Sequence, residues 1–222
     1  VEQLCRVNAL VIDKTGTLTI PNKNVDFKSA SSLPFEERET LKPHAAEAVT
    51  MLKERGIEVW MMSGDNDEAT AFWAAKAGIG HWKSRCLPQD KEDIVRRLQH
   101  EGRIVAMVGD GINDSQALAL ADVSVAMGGG TDVAMNVAQL TLVGDDLRRI
   151  PEACALSQRT VGMIRQNLFW AFAYNVVSIP LAAGVLHIFG IGFQITPMWA
   201  SALMVMSSVS VVCNSLRLRL MK

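Results

Sequence analysis

The chain has almost no charge bias: 22 lysines and arginines stand against 23 aspartates and glutamates, a formal net charge of −1. A polyanion partner calls for a basic patch, so nothing here points to nucleic acid. Cysteine is sparse. Cys5, Cys86, Cys154 and Cys213 show no CxxC spacing, which argues against a zinc site or a disulfide framework. The N-terminus carries no leader pattern of basic region, apolar stretch and small-residue cleavage site, and the chain opens at Val1 without an initiator methionine, as expected of a piece of something longer. A further absence is local. Residues 167–216 contain no Lys, Arg, Asp or Glu, although 20% of the chain is charged.

What is present before that stretch alternates. Residues 4–12 read as a buried strand whose apolar end leads to Asp13. Residues 20–41 are polar, contain Pro21 and Pro34, and read as linker or loop. Helices are expected over 43–55, 68–77, 91–101 and 115–120, with another opening at 132–136, and Gly56, Gly78 and Gly102 stop the first three. Strands are expected over 57–62, 104–108 and 123–127. Strands and helices in this order imply βαβ units and a parallel sheet covered on both faces, an α/β fold. Asp13, Asp65 and Asp110 fall just past strand ends, the edge where open parallel sheets bind ligands, so three carboxylates share one crevice.

The two uncharged runs, 167–189 and 197–216, each match the ~20 residues that cross a ~30 Å hydrocarbon core. Two in tandem, with Pro180 and Gly184 inside the first, predict a membrane hairpin. Arg159 and Arg165 precede the pair, Arg217, Arg219 and Lys222 follow it, and the connection 190–196 is uncharged. Both ends then lie on the cytoplasmic side, with the α/β domain. The expected organisation is an α/β domain over 1–150 with 20–42 as a linker, a stalk helix over 151–166, and a transmembrane hairpin over 167–222.

The sharpest motif runs from Asp13 to Thr19, DKTGTLT, directly after a buried strand. An aspartate there, backed by glycine and threonine amides and hydroxyls, suits covalent phosphoryl transfer. A carboxylate attacking a phosphoryl group needs its charge offset by Mg²⁺ on further carboxylates and by a lysine. Asp110 and Asp114 lie four apart in a later loop, and Lys91 stands in the sequence Pro-Gln-Asp-Lys.

These residues resemble the signatures of the P-type ATPases, a family similar to haloacid-dehalogenase-like hydrolases with a Rossmann-like parallel sheet. Ser63-Gly64-Asp65 resembles the family's TGD with serine for threonine, and residues 107–117, MVGDGINDSQA, resemble its GDGxNDxxAL hinge. The resemblance implies that Asp13 is the phosphorylated aspartate and that Asp13, Thr15 (through its carbonyl), Asp110 and Asp114 organise Mg²⁺. It implies that Thr17 and Ser63 contact the phosphate, that Lys91 neutralises it, and that Asp65, Gly64, Gly109 and Gly111 serve the phosphate and nucleotide site. Simple hydrolases of the wider superfamily commonly place a second aspartate two residues after the nucleophile. Here that position is Thr15, which cannot titrate near neutral pH, so an aspartyl-phosphate should persist long enough for a conformational change.

Tyr174-Asn175 in the first run and Met204, Ser207 and Ser208 in the second resemble the YN and MxxSS patterns of the copper-transporting heavy-metal ATPases, whose soft Cu(I) suits thioether ligands. Zinc and cadmium exporters would be expected to place an acidic or basic residue in this last span; it has none. Silver is the chemical alternative, and His187 reads as interfacial. The resemblance further implies ATP, membrane lipid and a copper chaperone as partners, and a bacterial plasma membrane as the location. The chain departs from the family where only about 23 residues follow Thr19 in place of a nucleotide-binding domain. The actuator TGE loop and an upstream Cys-Pro-Cys span are also missing. The expected function is therefore ATP-driven copper(I) transport by a truncated or domain-deleted pump. The alternatives are a membrane-anchored phosphatase of the dehalogenase type and a non-catalytic copper-binding membrane protein.

Overall fold

The computed structural model describes residues 2–22, 33–110, 112–128, 132–183 and 197–220, in two units, Val1–Ala155 and Leu156–Lys222. In chain order the first unit runs β1 (Ala9–Asp13), β2 (Thr19–Pro21), α1 (Phe35–Arg38), β3 (Glu39–Leu41), α2 (Ala45–Glu54), β4 (Glu58–Met62), α3 (Asp67–Ala77) and β5 (His81–Lys83). It continues through α4 (Pro88–His100), β6 (Val105–Gly109), α5 (Ser115–Leu120), β7 (Val123–Ala126), α6 (Asp132–Val137) and β8 (Leu140–Thr141). Two long helices follow, α7 (Arg149–Ala182) and α8 (Pro197–Leu220).

Strands β1, β6 and β7 are buried at every position, as apolar runs without alternation must be when both faces of their sheet are covered. Leu10 and Ile12 of β1 face one core with Val59, Met61 and Trp73, while Ala9 and Val11 face a second with Val95, Leu98, Val105 and Met107. Trp73 is fully buried. Trp73→Ala should lower the unfolding free energy by about 3–5 kcal/mol in urea titration. Trp73→Phe should cost less, because it also removes a buried indole N–H that has no partner.

The six-stranded sheet has the order β5-β4-β1-β6-β7-β8, all parallel. From β1 the chain builds outward through β4 and β5, then crosses back to build β6, β7 and β8 on the other side. The order reverses between β1 and β6, which opens a crevice at their carboxyl ends. Asp13 ends β1 and Asp110 follows β6 at that switch point.

The sequence reading needs four corrections. The first expected strand is shorter, because residues 4–6 form a 3₁₀ turn in which Val7 N donates to Leu4 O. Strands β5 and β8 were not anticipated; at three and two residues they are too short to show a period. The segment expected as a linker carries β2 and β3, paired antiparallel from Thr19↔Leu41 to Pro21↔Glu39, and the helical turn α1; residues 23–32 lie outside the described residues. Finally, α7 passes through the expected stalk into the first expected span without a break.

Among the described residues no helix is long and apolar enough to cross a membrane, so the expected hairpin is not shown. The outer end of the first span, the connecting loop, Gly184 and His187 fall on residues 184–196, outside the described residues. Within the second unit many apolar side chains face outward, among them Phe169, Phe172, Val176 and Ile179 on α7 and Trp199, Val205 and Val209 on α8.

Candidate active site

Asp13 ends a buried strand and is itself buried. The loop after it folds back tightly: Leu18 N and Thr19 N both donate to Lys14 O at 2.9 Å, and Gly16 N donates to Thr19 O at 3.0 Å. Gly16 has φ +77°, and a Cβ there would sit 1.6 Å from Asp110 Oδ2. The absent side chain is thus what lets Asp110 approach the β1 loop. Asp114 arrives on the 3₁₀ turn Ile112–Asp114, close over Gly109, where a Cβ would lie 2.8 Å from its Oδ2. Helix α4 starts with Pro88, and Asp90 Oδ2 accepts from Leu87 N at 2.8 Å. This cap fixes the turn that presents Lys91, whose Nζ donates to Asp13 Oδ1 at 2.5 Å and to Asp114 Oδ1 at 2.6 Å.

The carboxylates of Asp13, Asp110 and Asp114 thus gather with oxygens within 4.8 Å of one another. Burial, followed by the charges of Asp114 and Asp110, pushes the Asp13 carboxyl up to about 7 against the pull of Lys91. Burial and Asp114 also raise Asp110. Burial works against the Lys91 ammonium, but Asp13 and Asp114 outweigh it and hold it above its usual range. Three clustered carboxylates, two of them bridged by the single Lys91 ammonium, leave a crowded negative site made of hard oxygen donors, a fit for Mg²⁺.

Asp13, Thr15, Gly64, Asp65, Lys91, Asp110 and Asp114 line one cavity of about 510 Å³. Cys86, Leu87, Pro88 and Asn113 line it too and were missed by sequence reasoning. Asn113 lies inside the GDGIND motif and could have been found there; Cys86 to Pro88 had only their closeness to Lys91 as a signal. Burial pushes the Cys86 thiol up, so this wall is neutral. Thr17 and Ser63 are buried and do not line the cavity. Ser63 Oγ accepts from Asp65 N at 3.1 Å, whereas the buried Thr17 Oγ1 has no hydrogen-bond partner. Gly109 is a β6 residue that leaves room for Asp114, and it does not line the cavity. Gly111 lies outside the described residues.

Glu39 was missed as well. It accepts from Thr19 Oγ1 at 2.7 Å and pairs with Lys14, which also pairs with Asp65. Its position in the polar segment read as linker offered no signal.

Asp13 gives a pH dependence with a defined sign. Its folded pKa lies above the unfolded value of 3.8, so its stabilising contribution is complete below about pH 4 and is lost as pH rises through 7. Mg²⁺ should therefore raise the urea midpoint strongly at pH 8 and little at pH 5. An equal rise at both would contradict the site.

In the second unit the side-chain hydrogen bonds of Asn175 and Ser208, two of the residues expected to ligate copper, stay within their own helices. Asn175 Nδ2 donates to Ala171 O at 3.0 Å and Ser208 Oγ to Met204 O at 3.2 Å, each within its own helix. The Met204 side chain is exposed, and Ser207 O accepts from Ser210 Oγ at 2.8 Å. Tyr174 lines a groove with Trp170, Ser210 and Asn214.

A family profile described as haloacid dehalogenase-like hydrolase matches residues 26–122. The probable copper-transporting ATPase PacS of Synechocystis is 48% identical over 82% of this chain and 24% of its own length. Copper-exporting P-type ATPases of Legionella pneumophila and Staphylococcus aureus are 46% and 45% identical over 88% and 83% of the chain, which covers 26% and 22% of theirs. The chain thus spans about a quarter of the length of these relatives. Among solved structures, a zinc-transporting PIB-type ATPase in its E2.Pi state aligns with a TM-score of 0.80 at 24% identity, over 98% of this chain and 50% of that one. A deoxy-D-mannose-octulosonate 8-phosphate phosphatase from Haemophilus influenzae aligns at 0.59 and 20% identity over 70% and 91% of the two chains, a likeness of fold.

Proposed function

We propose that the chain, which is similar over most of its length to copper-exporting P-type ATPases, is the phosphorylation and metal-exit part of an ATP-driven copper(I) pump. The observation that carries this reading is the cluster of Asp13, Asp110 and Asp114 at the sheet's switch point, with Lys91 bridging Asp13 and Asp114. An Asp13 oxygen attacks the γ-phosphorus of ATP, the bond from that phosphorus to the bridging oxygen breaks, ADP leaves, and the phosphoryl group stays on Asp13. Lys91 balances charge on the attacking carboxylate and on the phosphoryl oxygens, and Thr17 supplies its unpartnered hydroxyl. Asp13, Asp110, Asp114 and the Thr15 carbonyl would hold Mg²⁺, which would supply electrostatic stabilisation of the transferring group. Thr15 provides no base beside Asp13, so the phosphoenzyme is long-lived.

The uncharged run 167–216 and the outward apolar side chains of α7 and α8 support placement of the second unit in a membrane, a bacterial plasma membrane with the α/β unit cytoplasmic. Tyr174, Asn175, Met204, Ser207 and Ser208 contribute to the path of Cu(I), or of the similar Ag(I), together with parts of the pump outside this chain. Those parts also supply the adenine pocket and the site where a copper chaperone delivers.

The test is acid-stable labelling of the full chain in detergent micelles with radiolabelled ATP and Mg²⁺. Label on the wild type that is lost in Asp13→Asn is the expected result. Label that survives in Asp13→Asn, or rapid turnover of p-nitrophenyl phosphate in place of a stable phosphoenzyme, would overturn it.

A further inference from the structure

The second unit holds a polar cluster that the phosphorylation chemistry does not use. Asn214 Nδ2 on α8 donates to Asn167 Oδ1 at 2.8 Å and to Gln166 Oε1 at 3.1 Å on α7. Asn167 Nδ2 donates in return to Ser215 Oγ at 2.9 Å. Asn167, Trp170, Tyr174, Ser210, Asn214 and Arg217 line the same groove, about 270 Å³ in volume.

We propose that Gln166, Asn167 and Asn214 form a register clamp that sets the rotation of α7 against α8, and thereby positions Tyr174 and Ser207 toward a common face. Three observations lead there. The bonds are directional and reciprocal: both N–H groups of the Asn214 amide are used, and Asn167 both accepts and donates. A slip of one residue along either helix rotates a side chain by roughly 100°, which breaks the whole set. Next, many large side chains described in the uncharged run are apolar and outward-facing, and apolar contact is non-directional, so they do little to set a register. Third, the spacing couples the clamp to the groove. Tyr174 lies seven residues after Asn167 and Ser207 seven before Asn214, each about two turns away on the same helical face. The Trp170 ring, between Asn167 and Tyr174 in sequence, sits 6.5 Å from the Tyr174 ring.

The clamp stands on geometry alone, while its consequence for copper rests on the function proposed above. Two readouts on the full chain in detergent micelles separate them. In a background with Cys5, Cys86, Cys154 and Cys213 changed to alanine, spin labels on Phe172→Cys and Val212→Cys, both exposed sites, report the distance between the helices. One narrow distance is expected with the clamp intact and with the conservative Ser215→Thr. Loss of that single distance is expected in Asn214→Ala and, independently, in the milder Asn167→Ser, with helical circular dichroism unchanged. A narrow, unshifted distance in both variants overturns the clamp. Cu(I) affinity, read by competition with a chromophoric Cu(I) chelator, should fall about tenfold in Asn214→Ala, as when a group that orients metal ligands is removed. If Met204→Ala and Tyr174→Phe leave Cu(I) binding unchanged while Asn214→Ala still loses the distance, the clamp is upheld and the copper reading fails.

Discussion

Lys91→Met should destabilise the α/β unit by about 3–5 kcal/mol at pH 8 without Mg²⁺, the effect of removing one partner from a buried ion pair. Lys91 is the ammonium that bridges Asp13 and Asp114, and all three side chains are at most 10% exposed, so water does little to screen the carboxylates left behind. Methionine keeps most of the volume, which isolates the charge from the packing. The loss should shrink toward pH 5. Without Lys91 the Asp13 carboxyl, already pushed up to about 7, loses the group that holds it down and protonates more readily in the folded state. A group with a raised folded pKa stabilises when protonated, so the variant recovers as pH falls. Urea titrations with a chelator at pH 5 and pH 8 measure this. An equal loss at both would mean that Lys91 acts through packing rather than charge.

The second large effect is expected from a single methyl group. In Gly16→Ala the new Cβ meets Asp110 Oδ2 at 1.6 Å, and the residue must also hold φ +77°, a conformation that disfavours an L side chain by roughly 1–2 kcal/mol. Neither atom can stay. Asp110 is driven out of the carboxylate cluster, so Mg²⁺ should no longer raise the unfolding midpoint at pH 8, and phosphoenzyme formation should be lost with it. Gly56→Ala is the control. It has a similar φ of +75° but open space around the position, so it should show the backbone strain while keeping the Mg²⁺ response. A Mg²⁺ response preserved in Gly16→Ala would show that Asp110 is dispensable for the ion.

Much of the site was legible because its chemistry sits in short contiguous runs. Asp13 to Thr19 follows directly on an apolar strand, and Asp110 and Asp114 share one motif, so strand ends and carboxylates could be read together. The helices around them were found to within a few residues, since the glycines that stop them and the apolar faces that bury them are local features. The misses were non-local. Glu39 lies 25 residues from Lys14, in a segment whose polarity reads as loop, and its role depends on β2 and β3 pairing across residues placed outside the described set. Strand β5 is exposed throughout and held by its partner β4, so its own three residues carry no pattern.

The sequence by itself therefore determined the class of fold, the identity of the candidate nucleophile and the uncharged character of the last stretch. These are set by residue type and local order, which the chain carries wherever it folds. The tertiary structure alone decided which charges meet. Lys91 reaches Asp13 across 78 positions and Asp114 across 23, and Gly16 admits Asp110 from the loop after β6. It also decided that Thr17 is left with an unpartnered hydroxyl, and that Asn167 and Asn214 bond each other. Such pairings depend on directional contacts formed when distant elements pack, and no periodicity along the chain encodes them.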